Sequence, residues 1–390
     1  MWLLKNNVYD TLFKINEIWR QRMKINNNYN ECLTNLACSI RKYFELAYNH
    51  NTLSYIDEIL EEKKPKNVVT ILFDGMGSNI LDRVLVSDSF FISHRIKPIT
   101  TVFPATTVAA TTSIQTGLNP SETGMLGWNM YFKDINKIIT TFKESEKGDK
   151  SETPLEEAKK FKNKYMKTKT IVEEINEKGK YKGYRLYPIE ENPYSDLEEM
   201  FEKIEKLCSE NGKKYIYAYD TEPDHLMHRF GTYCSEIKDL IRYRDIMTQK
   251  LCNKLKDTVI FIVADHGHTP VENIHLENYP EIVKCLKRGT SIEPRAVNFF
   301  IKDDKKEKFV NLFNKNFGKD FELCTKKEVI DSKFFGDGDE NPIFNSAIGD
   351  FLAIAIGNKT ILFNGDKEFV SQHAGMTDDE ILVPLIVVKK

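Results

Sequence analysis

The chain has 390 residues, 41% apolar and 11% aromatic, enough to bury a sizeable core and too apolar for intrinsic disorder. Its 56 Lys+Arg against 58 Asp+Glu leave a formal net charge of −2, which argues against a nucleic-acid duplex as partner and offers no polybasic face to a membrane. The longest apolar run, residues 381–388, is too short to span a bilayer. The opening MWLLKNNVYD lacks a signal-peptide stretch, and the seven cysteines contain no CxxC pair, against a disulfide scaffold or a thiolate zinc site. A soluble, cytoplasmic globular protein is expected.

Residues 1–66 read as a helical N-terminal segment. Tyr9, Leu12, Phe13, Ile15 and Ile18 recur at 3–4 spacing, and Leu36, Ile40 and Phe44 continue it. The first buried strand is expected at 68–73, stopping at Asp74-Gly75-Met76-Gly77. Similar apolar runs at 215–219, 259–264 and 381–388 alternate with helical patterns at 106–116, 195–207 and 235–255. Continuous runs of this kind indicate strands buried on both faces of a mostly parallel sheet, with helices on both faces. Residues 67–268 and 371–390 form the expected core. The lysine- and glutamate-rich stretch 133–180 reads as an excursion over the mouth of the sheet. Residues 269–370 read as a small α+β cap or lid, with a strand at 297–301, a helix over 305–317, and a hairpin over 351–363 turning at Gly357-Asn358.

Several histidines sit near an aspartate at a useful spacing. Asp74 and the Asp265-His266 pair follow buried strands, where ligands bind in open α/β sheets. Asp224 and His228, four apart, share one side of a helical turn, and His373 lies just before the last strand. Six such donors, Asp74, Asp224, His228, Asp265, His266 and His373, suit zinc, and are too many for one tetrahedral ion and about right for two. The segment from Phe103-Pro104 to Gly117 adds hydroxyl residues at the start of a capped helix. A hydroxyl there meets unpaired N–H groups and the positive dipole end, an environment that favours phosphate. His225 and His268 lie close by as candidate substrate or supporting contacts; His50, His94 and His275 read as incidental.

These motifs together resemble the alkaline phosphatase superfamily, and most closely its nucleotide pyrophosphatase/phosphodiesterase branch, over roughly residues 67–135, 214–270 and 371–390. The branch's Glu-Pro-Asp-x-x-x-His stands intact as Glu222-Pro223-Asp224-His225-Leu226-Met227-His228, and its Asp-His-Gly as Asp265-His266-Gly267. The resemblance implies an alkaline-phosphatase-like fold with two Zn2+, Mn2+ being the alternative on ligand chemistry. One zinc would take Asp224, His228 and His373, the other Asp74, Asp265, His266 and the oxygen of the nucleophile. The family's spacing before a Thr-Gly pair counts back from Thr116 to Thr107 as that nucleophile, with Thr106 as second candidate. The asparagine that holds a phosphate oxygen in the branch falls at Trp128 by gapless counting and at Asn129 after a one-residue shift.

The expected reaction is hydrolysis of a small phosphate diester or pyrophosphate, nucleotides among the candidates, through a phosphothreonine. No Arg or Lys occurs from Val102 to Phe132, so nothing local answers the extra charge of a monoester. A phosphomonoesterase, a phosphonoacetate-hydrolase-like enzyme, a manganese-dependent phosphomutase and a non-catalytic metal-binding homologue are the alternatives. The sequence leaves the oligomeric state open.

Overall fold

The computed structural model describes residues 28–188 and 193–390; the helical reading of Tyr9–Ile18 lies outside them. A central six-stranded sheet runs in the order Arg95–Thr100, Leu382–Lys389, Thr258–Val263, Asn67–Phe73, Lys214–Asp220, Lys182–Leu186. Asn67–Phe73 lies parallel to both of its neighbours, and Leu382–Lys389 runs antiparallel between Thr258–Val263 and Arg95–Thr100. The three middle strands are buried at every position, as the unbroken apolar runs require when both faces are covered. The carboxyl ends of Asn67–Phe73 and Lys214–Asp220 are tied together directly. The Asp74 N–H donates to Asp220 O at 2.9 Å, and the Asp224 N–H to Asp74 O at 3.0 Å.

Helix Leu33–Tyr43 packs beside helix Thr107–Thr116 and fixes its far end. Arg41 donates to Thr116 O at 2.8 Å and pairs with Glu174 at 2.9 Å, so a cation sits at the negative end of the helix dipole. Inside Thr107–Thr116, Thr111, Thr112 and Thr116 bond back to carbonyls four residues earlier at 2.6–2.8 Å. That satisfies their hydroxyls and lets a threonine-rich helix be buried.

A second, seven-stranded sheet joins Phe321–Thr325, Phe351–Ala355, Ala296–Phe299, Ser291–Glu293, Asn129–Phe132, Lys137–Thr140 and Ser145–Glu146 in that order. It thus draws strands from both 129–146 and 291–355. Its side chains alternate between two cores. Ala296, Leu352 and Ile354 face one, while Val297, Phe299, Ala353 and Ala355 face the other, the period of two that a pleated strand imposes. On the second face, helix Lys306–Phe317 presents Phe309, Phe313 and Phe317. The expected 351–363 hairpin does not form. Phe351–Ala355 pairs instead with Ala296–Phe299 and Phe321–Thr325, and Lys359–Leu362 runs parallel to Glu272–His275. The Gly-Asn signal marks a change of sheet, not a two-strand turn.

One ion pair staples the second sheet to the segment just before the last strand. Arg295 and Glu380 are both fully buried, joined at 2.6 and 2.8 Å, and Arg295 also donates to Gly357 O and Lys359 O. Glu380 in turn accepts the Gly375 N–H at 2.7 Å, two residues beyond His373. Removing one partner strands a buried charge, so Arg295→Met should lower stability by about 3–5 kcal/mol, read from the midpoint of urea unfolding.

Candidate active site

The motif loops meet at the carboxyl ends of the central strands, and glycines make the approach possible. Gly75 has φ +72, and a Cβ there would lie 3.0 Å from the Cα and Cβ of Asp224. A Cβ on Gly267 would lie 2.1 Å from Asp379 O. The Asp-Gly and Asp-His-Gly turns therefore need glycine for space, and at Gly75 for conformation as well.

Four histidines turn their rings inward. The Nδ1 atoms of His228, His266 and His373 lie 3.0 Å from Ser371 O, Gly267 O and Ala105 O. A carbonyl only accepts, so each Nδ1 carries the proton and each Nε2 presents a lone pair to the centre. The inward donor atoms form two overlapping groups, each within 4.8 Å: Asp224, His228, His268 and His373, and Asp74, Asp224 and His266. Asp265 is outside the second group by that measure but adjoins it, with Oδ2 3.7 Å from His266 Nε2.

These residues fit metal. The Oδ1 of Asp74 and the Oδ2 of Asp265 are buried with no hydrogen-bond partner, a costly state unless a cation completes them. Asp74 Oδ1 stands 3.3 Å from His266 Nε2, and Asp224 Oδ1 3.3 Å from His228 Nε2. Ligands of one tetrahedral zinc with bonds of about 2.0–2.1 Å stand roughly that far apart. Burial, then mutual repulsion with neighbouring aspartates, holds the Asp74 and Asp265 carboxyls well above the usual carboxylate range. At Asp224 burial acts the same way, but His228, His268 and His373 outweigh it and hold that carboxyl well below. His373 is held well below the usual imidazole range by burial and by the neighbouring His266.

Thr107 is the first residue of its helix, and its Oγ1 lies 3.2 Å from His266 Nε2 and 3.5 Å from Asp74 Oδ2. Thr106 faces away; its buried hydroxyl donates to Glu293 Oε1 at 2.6 Å. The same Glu293 oxygen accepts the Trp128 N–H at 2.7 Å. Burial pushes this acid up to about 7, partly offset by those two hydrogen bonds. Asn129 opens a strand of the second sheet, with its Oδ1 accepting from Thr140 at 2.9 Å. Thr107, Trp128, Asn129, Asp224, His228 and His373 all line one cavity of about 550 Å³.

Residues 68–375 match the family profile described as Type I phosphodiesterase / nucleotide pyrophosphatase. The chain belongs to this family. Among solved structures it is similar to murine ectonucleotide pyrophosphatase / phosphodiesterase 5, with a TM-score of 0.62, 16% identity, and coverage of 82% of this chain and 87% of that one. The human counterpart gives a TM-score of 0.62 at 17% identity with the same coverage. An inactive threonine-to-alanine variant of the murine protein, in complex with AMP, gives 0.60 at 15%, again over 82% and 87%. At such identities the likeness is one of fold, and it agrees with the expected alkaline-phosphatase-like α/β architecture. No curated protein matches the sequence.

Within this phosphodiesterase-family site, three contributors lie outside the six donors and the nucleophile that the sequence motifs single out. His268, legible only as a nearby candidate contact, is fully buried, with Nε2 2.5 Å from Asp224 Oδ1. That is closer than two ligands of one ion would stand, so His268 donates to Asp224 and orients it. Its Nδ1 lies 3.1 Å from the Ser371 hydroxyl, and its signal is the second histidine of Asp265-His266-Gly267-His268. Tyr219, at the end of a buried strand, donates its phenol to Asp74 Oδ2. Glu293 enters from the second sheet with no motif around it. His225, by contrast, points outward, its side chain 65% exposed beside Glu222.

Proposed function

We propose that this member is a metal-dependent phosphodiesterase or nucleotide pyrophosphatase working through a phosphothreonine on Thr107. The observation that carries the reading is the Thr107 hydroxyl, set at a helix start and aimed at His266 and Asp74. Asp224, His228 and His373 would hold one Zn2+, and Asp74, Asp265 and His266 the other. Bound there, the pair supplies Lewis-acid stabilisation of the attacking and leaving oxygens of an in-line displacement and eases ionisation of a hydroxyl or water. Thr107 Oγ1 forms the new bond to phosphorus as the bond to the leaving oxygen breaks. Water then forms its bond to phosphorus as the bond between Thr107 Oγ1 and phosphorus breaks, and a proton of that water returns to Thr107. The unpaired N–H groups of the first helical turn face the phosphoryl oxygens, and Asn129 lies along the same cavity wall to take another.

The AMP held by the murine variant supports a nucleotide or related small phosphate ester as substrate, and the threonine lost in that inactive variant supports Thr107 in the same role. Zinc over manganese rests on the mixed imidazole and carboxylate set. Seven unpaired cysteines support a cytoplasmic, reducing location. Among the described residues, no helix is long and apolar enough to cross a membrane.

Product analysis tests the reading. Zinc-loaded protein given the 4-nitrophenyl ester of thymidine 5′-monophosphate should release nitrophenol and thymidine monophosphate and stop there. Release of inorganic phosphate as the main product would favour a monoesterase, and a cycle that moves phosphate within one sugar would favour a mutase.

A further inference from the structure

Glu293 is one of several acids of the cavity wall, with Glu146, Asp149, Glu152 and Asp366, that no metal group uses, and it is the one bonded to the residue beside the nucleophile. It ends the strand Ser291–Glu293, whose Ile292 pairs with Asn129, and it is buried. A single oxygen, Oε1, holds both the Thr106 hydroxyl and the Trp128 N–H. Thr106 immediately precedes the nucleophile, and Trp128 immediately precedes Asn129. The helix start that carries Thr107 and the strand that carries Asn129 therefore share one anchor, supplied by the second sheet. Among the described residues no lysine or arginine forms an ion pair with it. We propose that Glu293 is a positioning and specificity residue: it sets the nucleophile and Asn129 relative to each other, and its unpaired carboxyl beside the cavity disfavours doubly charged phosphate monoesters against singly charged diesters.

This rests on the phosphodiesterase reading. Positioning follows from the shared anchor, because moving either loop breaks a charge-assisted hydrogen bond. Selectivity follows from like-charge repulsion in a partly dry site once the carboxyl is ionised, which burial delays to about 7, and it grows with each added negative charge on the substrate. Gln in place of Glu keeps an acceptor oxygen for both donors and removes the charge, whereas Ala removes both.

The test measures kcat and KM of zinc-loaded wild type, Glu293→Gln and Glu293→Ala on bis(4-nitrophenyl) phosphate and 4-nitrophenyl phosphate, at a pH of about 8.5 where the carboxyl is charged. Glu293→Gln should keep the diester kcat within about threefold and raise the monoester-to-diester ratio of kcat/KM about tenfold. Glu293→Ala should lower the diester kcat by about 10- to 100-fold with little change in KM, and Gln should rescue it. An unchanged ratio in Glu293→Gln, with an active wild type, overturns the selectivity role. A wild-type kcat in Glu293→Ala overturns the positioning role. A wild type that cleaves neither ester overturns the phosphodiesterase reading and this inference with it.

Discussion

Thr107→Ala should lower turnover by at least about a thousandfold, the scale of losing a covalent nucleophile, and leave bound metal unchanged. The expectation comes from the division of labour between neighbouring threonines. The Thr107 hydroxyl faces Asp74 and His266, while that of Thr106 is spent on Glu293. None of the six aspartate and histidine donors is altered by the substitution, so metal content by elemental analysis should match wild type. Thr107→Ser keeps a hydroxyl on the same atom and should retain activity within about tenfold. Thr106→Val removes only a hydrogen bond to the anchor and should cost far less than Thr107→Ala. If Thr106→Val silenced the enzyme and Thr107→Ala did not, the two roles would be reversed.

Asp224→Asn should abolish turnover by a different route, through loss of metal. Asp224 is the only residue shared by both donor groups, and His228, His268 and His373 all converge on its carboxylate at 3.3, 2.5 and 3.8 Å. An amide cannot supply the charge that the cation held with His228 and His373 needs there. Metal content should fall well below that of wild type. Chelation of the wild-type protein should reproduce the effect and lower stability by about 3–4 kcal/mol, the loss expected where metal had been present at 100–1,000 times its Kd. The pH dependence has a definite sign. Burial and mutual repulsion hold the metal-free Asp74 and Asp265 carboxyls above the usual range, so protons compete for them at higher pH than for ordinary carboxylates. Metal affinity should therefore weaken as pH falls, beginning above the range where a surface carboxylate titrates. A titration of metal binding between neutral and mildly acidic pH reads this directly.

Local chemistry makes much of the central layer legible in the amino-acid sequence. The runs at 68–73, 215–219 and 259–264 are apolar throughout because both faces of those strands are covered. The helix over 107–116 is legible because proline, hydroxyl residues and glycine punctuate its ends. Long-range pairing is not legible. Asn129–Phe132 and Ser291–Glu293 pair across more than 150 residues, a partnership no local pattern encodes, so nothing in the sequence places Glu293 beside Thr106. The 351–363 segment shows the same limit, since two apolar runs around Gly357-Asn358 have the composition of a hairpin whichever neighbours they take. Tyr219 is hidden for a different reason. In an unbroken buried strand its ring reads as packing, and only the position of Asp74 across the strand ends gives its hydroxyl a task.

The central claim is diester hydrolysis that depends on the metal groups. Its most direct test is kcat/KM for bis(4-nitrophenyl) phosphate against 4-nitrophenyl phosphate, on protein carrying a measured load of zinc and on the same protein after chelation. The diester should be cleaved faster, with about two zincs per chain, and both activities should be lost without metal. A monoester preference, or diester cleavage that survives complete metal removal, would contradict that claim.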